Sequence, residues 1–228
     1  MNSSCVRLVL ALSLDGRLAS PEGGAASLGG IGDRRALEEA LAWADAAFIG
    51  SKTLLEHRST CLIKSKKLLQ VRRFEGRSEQ PLILVVSSKK DHPLDMPFFE
   101  QPLRRWLVGP AQTMDDFTGD LSIPEGFERY LPMAGDWRTT VLKLVDEGMT
   151  RFLVLGGARL ATSFLKDDCI DELQLTFTPR ILGGKYLWFD DEIDPLPNNL
   201  QNSHVWSLDH IENLGGNEVK LFYVRGNR

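Results

Sequence analysis

The segment from residue 151 to residue 184 constrains the fold most, because its pattern predicts a strand, a glycine turn, a helix and a second strand in direct succession. An apolar run at 152–155 ends in Gly156 and Gly157, and the apolar residues after it recur at helical spacing. A second apolar run follows at 173–177. Such a crossover places the helix N-terminus near the ends of parallel strands, where a phosphate is favoured and glycine allows close approach. A plain strand-to-helix turn fits the pattern equally well.

The rest of the chain repeats this alternation of apolar runs and helical patterns. Further strands are predicted at 6–12, with this first strand central, and at 46–49, 82–86, 105–108 and 127–131. Helices are predicted behind N-caps at Asp33 and Asp136, and a short helix at 53–57. Runs at 205–211 and 218–224, joined through glycines, predict a C-terminal β-hairpin. The 228 residues are therefore expected to form a single α/β domain, residues 1–228, with a mainly parallel sheet and an antiparallel edge.

Composition excludes several classes of protein. The net charge of −4 argues against nucleic-acid binding, and the basic residues of 64–73 are interrupted by apolar ones, which indicates a solvated loop or helix face. Cys5, Cys61 and Cys169 are far apart and odd in number, which predicts reduced thiols in a cytoplasmic protein. No stretch is long enough to span a bilayer, so no membrane partner is expected.

Glycine or serine ends four of the predicted strands. The pairs are Gly50 and Ser51, Ser87 and Ser88, Gly109 and Pro110, and Gly156 and Gly157. Because ligands of open α/β sheets lie beyond the carboxyl ends of the strands, these turns predict a site for a long, phosphate-bearing ligand such as a dinucleotide. A loop containing Gly23, Gly24, Gly29, Gly30 and Gly32 is predicted to be mobile and able to close over a ligand.

Other signals define the chemistry less closely. The chain lacks a hydrolase elbow, a P-loop and the standard dinucleotide fingerprint, and its histidines lack metal-ligand spacing, so no metal is predicted. Lys89 and Lys90 follow a strand end, where they would favour NADP over NAD, or they form an ordinary charged loop. Asp15 lies at a turn beside the glycine loop, a position suited to a substrate contact, although Asp-Gly turns are common.

Five motifs occur in order along the chain: SLDGRLA at 13–19, FIGSKTL at 48–54, LVVSS at 84–88, GGARL at 156–160, and a segment from DEL to PRILGG at 171–184. Together they resemble the reductase domain of riboflavin biosynthesis, the C-terminal half of the bifunctional deaminase–reductase. The resemblance implies a dihydrofolate-reductase-like three-layer sandwich and a homodimer. It also implies NADPH-dependent reduction of the ribosyl side chain of 5-amino-6-(5-phosphoribosylamino)uracil, or of the precursor of that pyrimidine, to the ribityl form.

The resemblance also implies roles for individual residues. Cofactor contacts are expected from Gly50, Ser51, Thr53, Ser87, Ser88, Gly156, Gly157, Ala158, Arg159 and Leu160. Asp15 is expected at the catalytic centre, and Arg34 or Arg35, with Lys64, against the substrate and its phosphate. The zinc motif of the deaminase half is absent from the sequence, so no deaminase domain is expected and deamination is assigned to another protein.

Two departures from the family pattern concern the substrate. The residues at 57–59 replace an Asp-Asp-Pro and those at 61–64 a Leu-Thr-Val-Arg, which keeps a basic end at Lys64 but loses both carboxylates. Leu155 stands where an acid often precedes the glycine pair. Two alternatives therefore stay open: a related NADPH reductase of a pterin or another carbonyl substrate, and a dinucleotide-binding or assembly protein without catalysis.

Overall fold

The computed structural model describes residues 4–24, 28–110, 123–133, 135–190 and 196–226. Strands and helices alternate through most of these ranges. The strands are β1 (Cys5–Ser13), β2 (Ala46–Gly50), β3 (Leu82–Val86), β4 (Arg105–Pro110), β5 (Arg129–Met133), β6 (Arg151–Val154), β7 (Glu172–Thr178), β8 (Trp206–Gly215) and β9 (Glu218–Arg225). The α-helices are α1 (Ile31–Trp43), α2 (Ser51–His57), α3 (Lys66–Phe74), α4 (Trp137–Asp146) and α5 (Ala158–Lys166). Short 3₁₀ turns occupy Pro97–Glu100 and Asn198–Gln201.

All of these strands belong to one sheet, in the order β5-β4-β3-β2-β6-β1-β7-β9-β8. From β5 to β7 every neighbouring pair is parallel, whereas β9 lies antiparallel to both β7 and β8. The predicted parallel sheet with an antiparallel hairpin at its edge is confirmed, and β1 has the predicted inner position. Gly216 and Asn217 form the hairpin turn with φ of 61° and 62°, the left-handed pair that matches strand twist.

Helices cover both faces of the sheet and form the predicted three-layer sandwich. On one face, Trp137 of α4 stacks on Phe164 of α5 with ring centroids 4.2 Å apart, and both rings pack on Phe48 of β2. On the other face, Leu41 of α1 and Leu54 of α2 are fully buried. The two apolar cores place α1 and α5 on opposite sides of the parallel strands.

The N-terminus of α1 differs from the prediction. Asp33 is the third residue of the helix, and Gly30 takes the cap position without a side-chain cap of its own. The cap comes instead from Glu218 of β9, whose carboxylate accepts the N–H groups of Gly30 at 2.5 Å and Asp33 at 3.2 Å. Gly32 is also misassigned by the prediction of a mobile loop, since it is buried in α1 where a Cβ would collide with Leu214.

Two strand ends are shifted from their predicted positions. Gly109 and Pro110 do not form a turn, because they pair with Pro132 and Met133 inside the β4–β5 ladder. A side chain at Gly109 would lie 2.6 Å from the Tyr130 hydroxyl, so close packing explains this glycine. β5 begins at Arg129 and not at residue 127. The segment 111–126, with few apolar residues in any period, and the segment 190–197, which is acidic and rich in proline, predict surface loops. Both segments lie largely outside the described residues.

The basic segment at 64–73 contains the helix α3, and Arg72 contradicts the prediction of a solvated face. Its side chain is 1% exposed. The Nη1 group donates to the carbonyl oxygens of Leu41, Ala42 and Ala44 at 3.2, 2.9 and 2.7 Å, and Nε donates to that of Ser78 at 2.6 Å. Burial lowers the pKa of Arg72 to about 10, which still leaves it charged at neutral pH. Arg72 therefore satisfies the C-terminal carbonyls of α1.

We predict that Arg72→Met destabilises the protein, because it removes the donor of the Ser78 carbonyl oxygen and one of the two donors to the carbonyl oxygens of Ala42 and Ala44, which Arg77 also contacts. The free energy of unfolding should fall by about 1–3 kcal/mol, the cost of one unpaired buried polar group. The matched control is Arg73→Met, because Arg73 is exposed and pairs with Glu79 at the surface, and a loss below about 1 kcal/mol is expected there. Urea unfolding followed by circular dichroism measures both. Equal losses in the two variants would contradict the role of Arg72.

Candidate functional site

The carboxyl ends of β2 and β6 meet at one rim of the sheet, as the sequence predicts. The N–H of Gly50, at the end of β2, donates to the carbonyl oxygen of Gly156 at 3.5 Å. Helix α2 begins directly after Gly50, and α5 begins directly after Gly157. Two helix N-termini therefore start side by side at this rim.

Gly156 and Gly157 have a backbone conformation that other residues rarely adopt. Their φ angles are +94° and +86°. A Cβ at Gly157 would lie 2.8 Å from Oγ1 of Thr53, and one at Gly156 would lie 2.8 Å from Cδ2 of Leu10. No side chain caps the N-terminus of α5. Gly156 and Gly157 thus form a floor of the site, beside the first N–H groups of α5, and a residue with a Cβ would not fit at either position.

A cavity of about 1000 Å³ opens at this rim. It is bounded by the ends of β1 and β3, the first turns of α1, α2 and α5, and residues 185–190. Every residue predicted to contact the cofactor lines it: Gly50, Ser51, Thr53, Ser87, Ser88, Gly156, Gly157, Ala158, Arg159 and Leu160. Arg34, predicted to face the substrate, also lines it. The structure thus gathers residues from four separate motifs into one cavity.

Four other predicted contacts lie outside the lining of this cavity. Arg35 points away from it and pairs with Glu212 at 3.5 Å. Lys64 is exposed, and its backbone N–H donates to Glu38 at 2.8 Å. Lys89 is exposed beside Ser88, while the ammonium group of Lys90 lies 5.2 Å from the Tyr130 ring centroid. These positions give no support to direct contacts with a bound substrate or cofactor.

Asp15 also lies outside the cavity lining, and its carboxylate is engaged elsewhere. It accepts hydrogen bonds from the Ser13 hydroxyl at 2.6 Å and from the N–H groups of Leu182 and Gly183 at 3.1 and 2.7 Å. The hydrogen bonds from Ser13 and then Leu182 lower the pKa of Asp15 well below its usual range. The geometry gives Asp15 a structural role, in which it holds the turn after β1 to the segment after β7.

We predict that Asp15→Asn lowers the thermal stability at neutral pH. The folded-state pKa is depressed, so the contribution of Asp15 is present above the unfolded carboxyl pKa of about 4 and is lost as the pH falls toward the folded-state value. The difference in Tm between wild type and variant should therefore narrow from pH 7 to about pH 2 to 3. Asp91→Asn, at an exposed position, is the control and should change Tm little. A difference independent of pH would contradict this role.

The structure adds lining residues to which the sequence analysis assigned no contact with a cofactor or substrate. They include Asp33, Lys52, Glu56, Cys61 and Tyr186. The ammonium groups of Lys52 and Lys185 lie 6.0 and 5.5 Å from the Tyr186 ring centroid, and a Cβ at Gly23 would lie 2.7 Å from the Tyr186 hydroxyl. Lys52 and Glu56 are one helical turn apart on α2, so helical spacing from the predicted helix could have identified them.

Burial raises the pKa of two of these residues. It raises the pKa of Cys61 to about 11, so the thiol is neutral at pH 7 and is a poor nucleophile. Burial also raises the pKa of Asp33, with a further contribution from the charge of Glu218, against a hydrogen bond from Thr176. In the part of the chain that the structure describes, no cluster of three or more metal-ligating side chains is present. None of the helices described there has the length and apolar character to cross a membrane.

The model of the RibD C-terminal domain matches residues 4–214, which include every element that forms the cavity. The chain belongs to this family. An RibD C-terminal domain thus accounts for nearly all of the chain, and the family resemblance stated from the five motifs is confirmed.

Curated relatives of this RibD C-terminal domain are distant in sequence. The 2,5-diamino-6-ribosylamino-4(3H)-pyrimidinone 5′-phosphate reductase of Archaeoglobus fulgidus is 23% identical over 184 residues, which cover 77% of this chain and 80% of that protein. Haemophilus influenzae RibD is 25% identical over 96% of this chain and 58% of its own length. The chain thus spans about half the length of the RibD proteins that it matches.

Solved structures confirm the fold. A pyrimidine reductase-like protein from Corynebacterium diphtheriae superposes with a TM-score of 0.78 at 17% identity, covering 100% of this chain and 94% of that one. The riboflavin biosynthesis reductase Rib7 of Saccharomyces cerevisiae gives a TM-score of 0.66 at 16% identity, covering 99% and 91%. Dihydrofolate reductase of Enterococcus faecalis gives 0.53 at 11% identity, covering 98% and 97%. The predicted dihydrofolate-reductase-like architecture is therefore correct.

Proposed function

We propose that this protein is an NADPH-dependent reductase that converts the ribosyl side chain of a phosphoribosylaminopyrimidine to the ribityl form in riboflavin biosynthesis. The observation that carries the proposal is the glycine-floored cavity, in which ten residues predicted as cofactor contacts converge in a RibD C-terminal domain. The name of the Archaeoglobus fulgidus relative, a ribosylaminopyrimidinone phosphate reductase, supports the same reaction.

The cavity fits the chemistry of a phosphate-bearing dinucleotide. Gly156 and Gly157 leave room for a pyrophosphate against the uncapped N-terminus of α5, where the helix dipole favours negative charge. Ser51 and Thr53, at the start of α2, and Ser88, after β3, supply hydroxyl groups along the same rim. NADPH bound there supplies a hydride, and the cavity requires no metal for that chemistry.

The remaining lining residues are suited to hold the substrate. Arg34 on α1 and Lys52 on α2 bring positive charge to the cavity, which suits a substrate phosphate. Gly23 lies against Tyr186, and both residues line the cavity. Bound NADPH would supply a hydride to C1′ of the ring-opened imine, the C1′=N π bond would break, and the nitrogen would take up a proton from solvent. Orienting the opened side chain is the main task of these residues.

Leu155 favours a second candidate, an NADPH reductase of a pterin or another carbonyl compound. It lines the cavity and leaves an apolar patch where relatives of the motif often carry an acid. Tight NADPH binding without competition from either pyrimidine would favour this candidate. NADPH binding without turnover of any carbonyl substrate would favour the other alternative, a dinucleotide-binding or assembly protein without catalysis.

We predict that the purified protein oxidises NADPH when either the phosphoribosylaminopyrimidinone or its uracil counterpart is added. Loss of the nicotinamide absorbance measures the rate, and mass spectrometry of the pyrimidine should show the gain of two hydrogens. Protein heated to unfold it is the control. No oxidation with either pyrimidine at high enzyme concentration would refute the proposed reaction.

We predict that Gly157→Asp abolishes NADPH binding, because a side chain and a negative charge would meet the pyrophosphate. Gly148→Asp is the matched control: Gly148 has a φ of +88°, as Gly157 has one of +86°, but open space around its Cβ position and no place in the cavity lining. Both variants carry the same backbone strain. Fluorescence titration of each folded variant with NADPH measures the difference, and unchanged binding in Gly157→Asp would show that the glycine turn is structural only.

The proposal includes a homodimer in the cytoplasm. β8 forms one edge of the described sheet, and Leu208 and Ile211 on it are 47% and 60% exposed, which favours association through this edge. No disulfide joins Cys5, Cys61 and Cys169, in keeping with a reducing compartment. Light scattering after gel filtration tests the assembly.

A further inference from the structure

Two lysine side chains in the cavity have no acidic partner among the described residues. The lysines and arginines that line the cavity there are Arg34, Lys52, Arg159 and Lys185. Arg34 pairs with Glu38 at 3.4 Å, and Arg159 pairs with Asp190 at 3.0 Å. In contrast, no carboxylate of the described residues lies within 4 Å of the ammonium group of Lys52 or Lys185. Two unneutralised positive charges thus line the cavity of a chain whose net charge is −4.

The side chain of Lys52 does not pair with the acid that follows it on its own helix. Glu56 lies four residues further along α2, at the spacing at which opposite charges often pair. The ammonium group of Lys52 lies instead beside Tyr186, 6.0 Å from the centroid of the ring, and more than 4 Å from the Glu56 carboxylate. Lys52 is therefore available to a ligand of opposite charge.

Tyr186 brings the second lysine to the same place. The ammonium group of Lys185 lies 5.5 Å from the centroid of the Tyr186 ring. The backbone of Tyr186 is fixed, because its carbonyl oxygen accepts the N–H of Leu18 at 2.8 Å. Lys52 belongs to α2 and Lys185 to the segment after β7, so the ring gathers charges from elements that are distant in sequence. The ring attracts each ammonium group, but the two like charges repel each other.

We propose that Lys52 and Lys185 bind a phosphate group, and that Tyr186 is the residue that positions both ammonium groups. These three residues form a lysine clamp. A phosphate monoester or a pyrophosphate carries two negative charges, so it neutralises both lysines at once and relieves their repulsion. This inference rests on the proposed function and deepens it, since it names the residues that hold a phosphate of the reaction.

The lysine clamp is continuous with the glycine floor of the site. Lys52 directly precedes Thr53, whose Oγ1 would lie 2.8 Å from a Cβ at Gly157. Lys52 and the first N–H groups of α5 therefore border the same part of the cavity. The N–H groups at a helix end carry only partial positive charge, so they leave much of the charge of a phosphate uncompensated. The two lysines supply full positive charges in addition.

The lysine clamp takes the place of other lysines that the sequence predicted as phosphate contacts. Lys64, Lys89 and Lys90 lie outside the lining of the cavity, whereas Lys52 and Lys185 belong to it. Two phosphates of the proposed reaction have the chemistry that the clamp requires: the monoester of the substrate and the pyrophosphate of NADPH. Affinities for ligands with and without each phosphate distinguish these two sources.

The test is calorimetric titration of wild type and of a double variant, Lys52→Met with Lys185→Met. The ligands are NADPH, the phosphoribosylaminopyrimidine and the same pyrimidine without its phosphate, each titrated alone. The double variant should bind the ligand whose phosphate the clamp holds about 100-fold more weakly, about tenfold for each charged hydrogen bond lost. Rising salt should narrow this difference, because it screens the charges.

The matched control is a second double variant, Lys66→Met with Lys67→Met. It removes the same two charges from the first turn of α3, where both lysines are exposed and lie outside the cavity lining. It should bind every ligand as wild type does. Tyr186→Phe keeps the ring and should retain the affinity, whereas Tyr186→Leu should weaken it by about 3-fold to 10-fold, because the lysines lose their common support.

The outcomes separate the two phosphates and also separate this inference from the proposed function. A loss confined to NADPH places the pyrophosphate in the clamp, and a loss confined to the phosphorylated pyrimidine places the monoester there. Unchanged affinity of the double lysine variant for both ligands would refute the clamp, and so would an equal loss for the pyrimidine without phosphate or no binding to wild type. Titration needs no turnover, so binding through the clamp without oxidation of NADPH would refute the proposed reaction alone.

Discussion

The site depends on the left-handed backbone at Gly156 and Gly157. Thr53 of α2 lies against one of these glycines and Leu10 of β1 against the other, each close enough that a Cβ would collide with it. The pair therefore lets three elements converge at one point: the end of β6, the start of α2 and the start of α5. Any larger residue would separate them and enlarge the distance between the two helix N-termini. The shape of this rim therefore depends on Gly156 and Gly157, which have no side chains.

The opposite rim of the sheet is built from charged side chains. The carboxylate of Asp45 accepts the N–H groups of Thr150 and Arg151 at 2.8 and 2.9 Å, and it pairs with Arg77 at 2.9 Å. Arg72 lies beside this ion pair and donates hydrogen bonds to the carbonyl oxygens at the C-terminal end of α1. Charged side chains thus hold the rim where the strands begin, while helix N-termini and hydroxyl groups line the cavity at the rim where the strands end. This division is expected when parallel strands carry a site at their carboxyl ends.

Local patterns were sufficient to predict the fold and the glycine floor of the site. The strand-turn-helix signal at 151–166 needs only neighbouring residues, and so does the N-cap at Asp136, which accepts the Thr139 N–H at 2.7 Å. The residues whose surroundings in the structure differ from the expected ones have distant partners. Asp15 is held by Leu182 and Gly183, some 167 residues away, and Gly109 is required by packing against Tyr130. No pattern within a short window contains these partners, so sequence alone gave those residues other roles.

Asp33 also depends on a distant partner. An acid near the start of a helix can cap the helix or face a cavity, and the sequence cannot distinguish the two. Here Glu218, on the last strand of the sheet, accepts the N–H groups that a capping Asp would take. Because Glu218 of the hairpin caps α1, the Asp33 side chain does not act as the cap. It lines the cavity, and Thr176 of β7 donates a hydrogen bond to it. The C-terminal hairpin contributes no residue to the cavity lining. By capping α1 through Glu218, it nevertheless leaves the Asp33 side chain of this helix to line the cavity.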